Sequence, residues 1–235
     1  MPKTKIVATI SDQNAEVDFI RSLYEEGMRI IRLNTAHQTP EQTLKIIENA
    51  RKVSDKIALL LDTKGPELRT TASSNELSVS KGDILYVEGD PDKGSENDRL
   101  YVNYKGLADD VPEGSEILID DGDISLTVQG KKENALECRV NNKGVIKSRK
   151  SINVPKVQLN LPCITEKDHR YILFAIEQDI DFIAHSFVRS KKDVLAVQHI
   201  LDEHDSDIKI VAKIENQEGV DNIDEILDYA YGIMV

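Results

Sequence analysis

Cysteine is scarce in this 235-residue chain: only Cys138 and Cys163 occur, far apart in sequence. One disulfide is the most they could make, and two reduced thiols in a cytosolic protein is the favoured reading. Basic charge is short as well, with 30 Lys and Arg against 42 Asp and Glu and a formal net charge of −12. A general nucleic-acid surface is disfavoured, because the phosphate backbone needs a basic face. A small basic pocket for an anionic metabolite is still allowed. No apolar run approaches the roughly 18 residues of a membrane span. The N-terminal "MPKTKIVATISD" has too short an apolar run for a secretory leader. Neither a Walker A loop nor G-x-G-x-x-G is present, so those fingerprints give no argument for nucleotide binding. The expectation is a soluble, cytoplasmic protein with no membrane or nucleic-acid partner.

What is present alternates in period. "TKIVATI" (4–10), "MRIIRLN" (28–34) and "KIALLLDT" (56–63) read as strands. Between them, 14–27 and 39–54 carry helical spacing, with Gly27 as a C-cap, Thr39 as an N-cap and Pro40 in the first turn. Strand, helix, strand, helix, strand implies parallel βαβ units. From about 70 to 155 no helical stripe appears. Short strand candidates replace it ("DILYVEG", "RLYVNY", "SEILIDDG", "ISLTVQG", "ALECRVNN", "GVIKSRKSINV"), and eight of the 12 glycines fall there. That pattern predicts a small all-β barrel or sandwich inserted in an α/β domain. The alternation then resumes: helix 165–178 with Thr165 as N-cap, strand 180–188, helix 190–204, strand 207–215, helix 216–230, and a strand beginning at 231. The sixth strand is the last. An apolar strand start is an unusual terminus, so the chain is expected to be a truncated piece.

The strands are apolar first and polar at their C-terminal ends. Side chains two apart on a strand share a face, so Lys213 and Glu215 point together, as do Arg32 and Asn34. Asp62, Thr63 and Lys64 end the third strand. His185 and Phe187 share one face of the fourth, followed by Arg189. Both (β/α)₈ barrels and open doubly wound sheets place ligands at this end. Arg32, Lys64, Arg69, Lys213 and Arg189 as cations, with Asp62 and Glu215 as carboxylates, suit a phosphorylated or carboxylated substrate with a divalent metal. "TKGPEL" suggests a tight turn at Gly65-Pro66 that brings backbone close to a ligand. A lone Lys-x-Glu or Arg-x-Asn is more often a solvated surface pair, and repetition over several strands is what outweighs that. His37 and His185 read as hydrogen-bonded structural histidines rather than metal ligands, and Asp120 and Asp121 as turn residues.

"KIVATI", "GMRIIRLNTAH", "LDTKGPELRT", "ILIDDGDISL", "LPCITEKD", "EQDIDFIAHSFVR" and "KIENQEGVDNIDEIL" together resemble the pyruvate kinase family, in order and over nearly the whole chain. The resemblance implies a (β/α)₈ TIM barrel, interrupted here after its sixth strand, with an inserted β-barrel lid. The divisions are 1–69 and 156–235 for the barrel and 70–155 for the lid. It implies phosphoryl transfer from phosphoenolpyruvate to ADP, giving pyruvate and ATP, with Mg²⁺ or Mn²⁺ and K⁺, in a homo-oligomer that is commonly a tetramer. Carried over by motif, Arg32 contacts the phosphoryl group, and Asn34, Asp62 and the Thr63 carbonyl hold K⁺. Arg69 and Lys150 face the nucleotide with His37 nearby. Lys213 stabilises the transferring phosphoryl group and the enolate, and Glu215 is a divalent-metal ligand.

The chain departs from the family in places. Ala36 stands where Ser is usual, Ser11-Asp12 where Gly-Pro is usual, and "KSINVPK" surrounds Lys150 where Lys-Gly-Val-Asn-Leu-Pro-Gly is usual. Glu67 keeps the K⁺-dependent pattern. The family continues past "GIMV" with Ala-Arg-Gly-Asp, whose Asp is the second metal carboxylate, and with a Thr that helps protonate the enolate. The fragment alone is therefore expected to be inactive or nearly so. A non-catalytic paralogue or binding module, or another metal-dependent barrel enzyme acting on phosphoenolpyruvate or pyruvate, are the competing readings.

Overall fold

The computed structural model describes residues 4–74 and 76–235; the first three residues of the N-terminal run, and Asn75, lie outside them. The described residues form two units: one runs through Pro66 and resumes at Pro162, the other is Glu67–Leu161. In chain order the first unit begins with β1 (Ile6–Thr9), α1 (Val17–Glu25), β2 (Met28–Asn34), α2 (Pro40–Val53) and β3 (Ala58–Asp62). The second holds β4 (Leu77–Val79), β5 (Ile84–Gly89), β6 (Arg99–Val102), α3 (Leu107–Asp110), β7 (Glu116–Ile119), β8 (Ile124–Lys132), β9 (Ala135–Val140), β10 (Gly144–Ile146) and β11 (Ile152–Asn153). The first then resumes with α4 (Glu166–Glu177), β12 (Phe182–His185), α5 (Lys191–Glu203), β13 (Lys209–Lys213), α6 (Gln217–Asp221), α7 (Ile223–Leu227) and β14 (Gly232–Met234).

The α/β unit is one parallel sheet in the order β1-β2-β3-β12-β13-β14. Spatial order follows chain order, so there is no reversal of the kind that creates the ligand crevice of a doubly wound sheet. One sheet face carries Ile31, Leu33, Leu59, Leu61, Ile183, Ile210, Ala212 and Ile214. These pack with Ile20, Ile46, Ile47, Ile172, Val194, Val197 and Leu201 of the helices in a single buried cluster. Each such Ile, Leu or Val side chain is worth roughly 1.5–3 kcal/mol when fully buried. With one face of each strand committed to helices, Arg32, Asn34, Asp62 and Lys213 lie on the other.

Local signals place the helices. Thr39 accepts the Gln42 N–H while Gln42 reaches back to the Thr39 N–H, with Pro at the start of α2. Thr165 and Asp168 make the same reciprocal pair at α4. Gly27, at φ +107, lies just past the C-cap of α1. One helix differs from expectation. The 216–230 run is broken into α6 and α7 at Asn222, which caps both and donates its side-chain amide to the Arg189 carbonyl at 2.9 Å. An Asn side chain that bonds elsewhere competes with helix continuation.

In the β-rich unit, β11-β7-β8-β9-β5-β6 form one sheet and β10-β4 a two-stranded one. Alternation places Leu85, Val87, Ile117, Ile119, Leu126, Val128, Leu136, Cys138 and Val140 in a core of their own. β4 and the one-turn α3 are absent from the sequence reading; three and four residues are too short to show a period. Asp120, Asp121 and Gly122 are consecutive left-handed residues between β7 and β8, the turn expected there. Neither cysteine is in a disulfide, and burial pushes the Cys138 thiol up to about 12. Among the described residues no helix is long and apolar enough to cross a membrane.

Candidate functional site

Register decides which strand-end side chains meet. Asn34 pairs with Asp62, Asp62 with Ala184, and Ala184 with Val211, so this row shares a face. Arg32 lies two residues before Asn34, Ser186 two after Ala184 and Lys213 two after Val211. All belong to the face opposite the helix-packed core.

These residues form one bonded cluster. Arg32 donates Nε to Asp62 Oδ2 at 2.6 Å, and its Nη2 makes a second bond to the same oxygen. Its Nη1 reaches Thr9 Oγ1 at 3.3 Å on the neighbouring strand. Lys213 Nζ has three partners: Asp62 Oδ1 at 3.2 Å, Glu215 Oε1 at 3.1 Å and Ser186 Oγ at 2.9 Å. Ser186 Oγ in turn donates to the Thr63 carbonyl at 2.6 Å. Asp62 is 2% exposed, Lys213 13%, Arg32 31% and Glu215 32%. The buried middle is therefore a carboxylate saturated by two cations, while one guanidinium and one carboxylate face outward. The arrangement can accept an anion at Arg32 and Lys213 and a hard cation at Glu215.

The loop after β3 is fixed by α4. Asp168, fully buried, accepts the Lys64 N–H at 2.9 Å and the Gly65 N–H at 3.3 Å on Oδ1. Gly65 has φ +71, and a Cβ there would lie 2.8 Å from both the Phe187 ring and Ser186 Cβ. The tight turn at Gly65 is present, and its close approach is to the end of β12. Lys64 itself is exposed. Lys167, in the first turn of α4, donates to the Thr35 carbonyl at 2.6 Å and lies over the Tyr171 ring. Burial, with Lys64 nearby, lowers its pKa.

By its spacing His185 shares a face with Phe187, and it reads as a structural histidine. His185 lies on the Ile183 side, pairs in register with Ala212 of the helix-packed core and is fully buried. The inward residue is Ser186. A strand with both faces buried shows no alternation, so parity was not readable. The expectation that His185 is hydrogen-bonded fails: neither ring nitrogen has a partner among the described residues. Burial pushes its pKa down to about 4, against the opposing pull of Asp193 and Asp168. His37 is exposed in the turn after β2, where its backbone N–H bonds the Asn34 carbonyl at 3.3 Å. Arg189 is held bidentately by Asp193 in the first turn of α5, at 3.1 Å on both contacts.

Arg69 and Lys150 belong to the β-rich unit, on adjoining antiparallel segments joined by the Arg69–Ser151 bridge. Arg69 pairs with Glu67 at 2.7 Å and donates to the Arg149 carbonyl at 2.6 Å. Lys150 pairs with Asp120 at 2.8 Å. The expected pair is thus together within that unit, each cation already matched to an oxygen.

Among the described residues no three His, Cys, Asp or Glu side chains gather closely enough to hold a metal ion. Glu215, with 32% of its side chain exposed, is the carboxylate of the cluster that faces outward. Asn34 Oδ1, the Asp62 carboxylate and the Thr63 carbonyl are oxygens at adjoining strand ends, the donor type a K⁺ ion takes.

The protein is of the parallel, singly wound α/β class, with two cations, two carboxylates and a serine gathered at its strand ends. The family model for the pyruvate kinase barrel domain matches residues 1–235. A pyruvate kinase of Borreliella burgdorferi is 50% identical over 233 residues, covering 99% of this chain and 48% of that protein. Those of Bacillus licheniformis and Geobacillus stearothermophilus are each 46% identical, over 100% and 99% of this chain and 41% of their own length. The chain belongs to the pyruvate kinase family, and it spans less than half the length of these relatives.

Proposed function

We propose that this chain is the N-terminal part of a pyruvate kinase, and that the intact protein transfers the phosphoryl group of phosphoenolpyruvate to ADP in the cytoplasm. The sheet is then six strands of a (β/α)₈ barrel, and residues 70–155 are its inserted lid. The observation that carries this is the ammonium of Lys213, held at three points by Asp62, Glu215 and Ser186 beside the Arg32 guanidinium. Phosphoryl transfer asks little covalent chemistry of a protein; it asks for positioned charge. Lys213 is fixed before any substrate arrives, so stabilising a transferring phosphoryl group or an enolate needs no reorganisation of the side chain. Arg32 is the second cation and, with 31% of its side chain exposed, can fork onto phosphoryl oxygens. Asp62 keeps both cations aimed and charge-balanced until an anion competes for them.

Glu215 would hold Mg²⁺ or Mn²⁺, and Asn34, Asp62 and the Thr63 carbonyl would hold K⁺. When bound, these ions supply positive charge against the phosphate oxygens. Arg69 and Lys150 are assigned to the nucleotide, with His37. The test is Lys213→Ala in a protein of the relatives' full length carrying this sequence, assayed for ADP-dependent pyruvate formation. A fall of about 10²–10³-fold in kcat is expected, the scale of losing one preorganised donor. Activity within a few-fold of wild type, or carbon–carbon cleavage in place of pyruvate formation, overturns the assignment.

A further inference from the structure

Nine non-glycine residues have positive φ among the described residues, and Phe187 (φ +57) is the only aromatic one. The others are Asn, Asp, Glu, Arg and Lys. A bulky side chain in the left-handed region is a steric outlier, and such outliers persist only where the surroundings impose them. The effect of the conformation can be read from the amides. The Ser186 N–H points to β3, donating to Thr63 Oγ1 at 3.0 Å. Strand parity sends the next N–H toward β13 and the one after back toward β3. Instead both follow to β13: the Phe187 N–H donates to Glu215 Oε2 at 3.0 Å and the Val188 N–H to the Lys213 carbonyl at 3.2 Å. Of these two amides the first meets an anion, the Glu215 carboxylate, and the second is taken up by the Lys213 carbonyl. Lys213 holds the other oxygen of that carboxylate. The loop after β3 closes the arrangement, since Gly65 packs where any Cβ would strike the Phe187 ring and Ser186.

We infer that Phe187 is a positioning residue for the divalent-metal carboxylate: its left-handed backbone turns the amide onto Glu215 Oε2 and, with Lys213 on Oε1, holds the carboxylate in place, with Gly65 as the seat that permits the kink. This rests on Glu215 being the metal ligand. Partners that orient a metal ligand typically matter by 10–100-fold in metal affinity.

The experiment is a Mn²⁺ titration of the 235-residue chain, followed by the electron paramagnetic resonance signal of free Mn²⁺, with circular dichroism on every variant. Phe187→Asn and Phe187→Val both lose the ring and keep the N–H. They differ in that Asn tolerates the left-handed region and a β-branched residue does not. Phe187→Asn is expected to stay within about threefold of wild type. Phe187→Val and Gly65→Ala are expected to weaken Mn²⁺ about tenfold. Phe187→Pro, which removes the N–H and the positive φ together, is expected to weaken it at least as much; if it does not fold, the Asn–Val pair decides. Equal affinity for Asn and Val at 187, with Glu215→Gln clearly weakened, overturns the positioning role alone. Unchanged affinity in Glu215→Gln overturns the metal reading itself, and the inference falls with it.

Discussion

In the α/β unit, Arg32, Asp62, Lys213 and Glu215 run into one another as a single chain of ion pairs across three strands, and its centre is closed to solvent. In the β-rich unit the pairs stand singly, and none is buried as deeply as Asp62 with Lys213: Lys131 with Asp109, Arg99 with Glu88, Lys93 with Asp90, Lys150 with Asp120. Surface pairs contribute about 0–1 kcal/mol. A buried cluster repays its desolvation only when every member is matched, and removing one member leaves uncompensated charge. The same residue types therefore solvate one unit and are held in tension in the other. Charge gathered where it is costly to gather is what makes this end of the sheet the candidate site.

Asp62→Ala is expected to cost about 3 kcal/mol, because it strips a buried counter-ion from two cations at once. Urea denaturation read by hydrogen exchange at β3 and β13 measures it. A value as small as that of a surface pair would erase the contrast. His185 comes next. Its folded pKa, about 4, lies below the ordinary value of 6.5, so the unfolded state binds the proton first as pH falls. Stability is full above about pH 6.5 and declines toward pH 4, by roughly 3 kcal/mol. His185→Leu should remove that part of the slope, seen by comparing denaturation at pH 7 and pH 4.5; an unchanged slope would show that the ring binds its proton equally well folded and unfolded. Thr165→Ala should cost about 1 kcal/mol by unmaking the α4 cap, measured by the same exchange experiment on α4. Asp109→Ala in the β-rich unit should cost less than about 0.5 kcal/mol, and a larger loss would mean that exposed pairs there carry stability after all.

Much of this was legible in the chain. Thr39 with Pro40, Thr165 and Gly27 mark their helix ends through contacts a few residues long. The Lys213/Glu215 pair is legible because a spacing of two on a strand fixes a common face. Arg32/Asn34 and Asp62 follow by the same geometry, and the recurrence across strands pointed to the end of the sheet where Arg32, Asp62, Lys213 and Glu215 do come together. Ser186 was not legible, because "FIAHS" is buried on both faces and gives no parity. Lys167 was missed because its partner, the Thr35 carbonyl, lies 132 residues away in sequence. The break at Asn222 was missed because the carbonyl that draws its side chain belongs to a different strand–helix loop.

By itself the sequence determined the order of strands and helices, the apolar-then-polar polarity of each strand, and the inventory of cations and carboxylates at one end. Periodicity and capping are local, and they act through neighbours on the chain. Only the tertiary structure decided that Asp62 sits between Arg32 and Lys213, that Ser186 rather than His185 faces them, and that the Phe187 amide turns onto Glu215. Those outcomes depend on register between strands far apart in the chain and on which sheet face the helices cover. Both are set by packing, which no local stretch of residues contains.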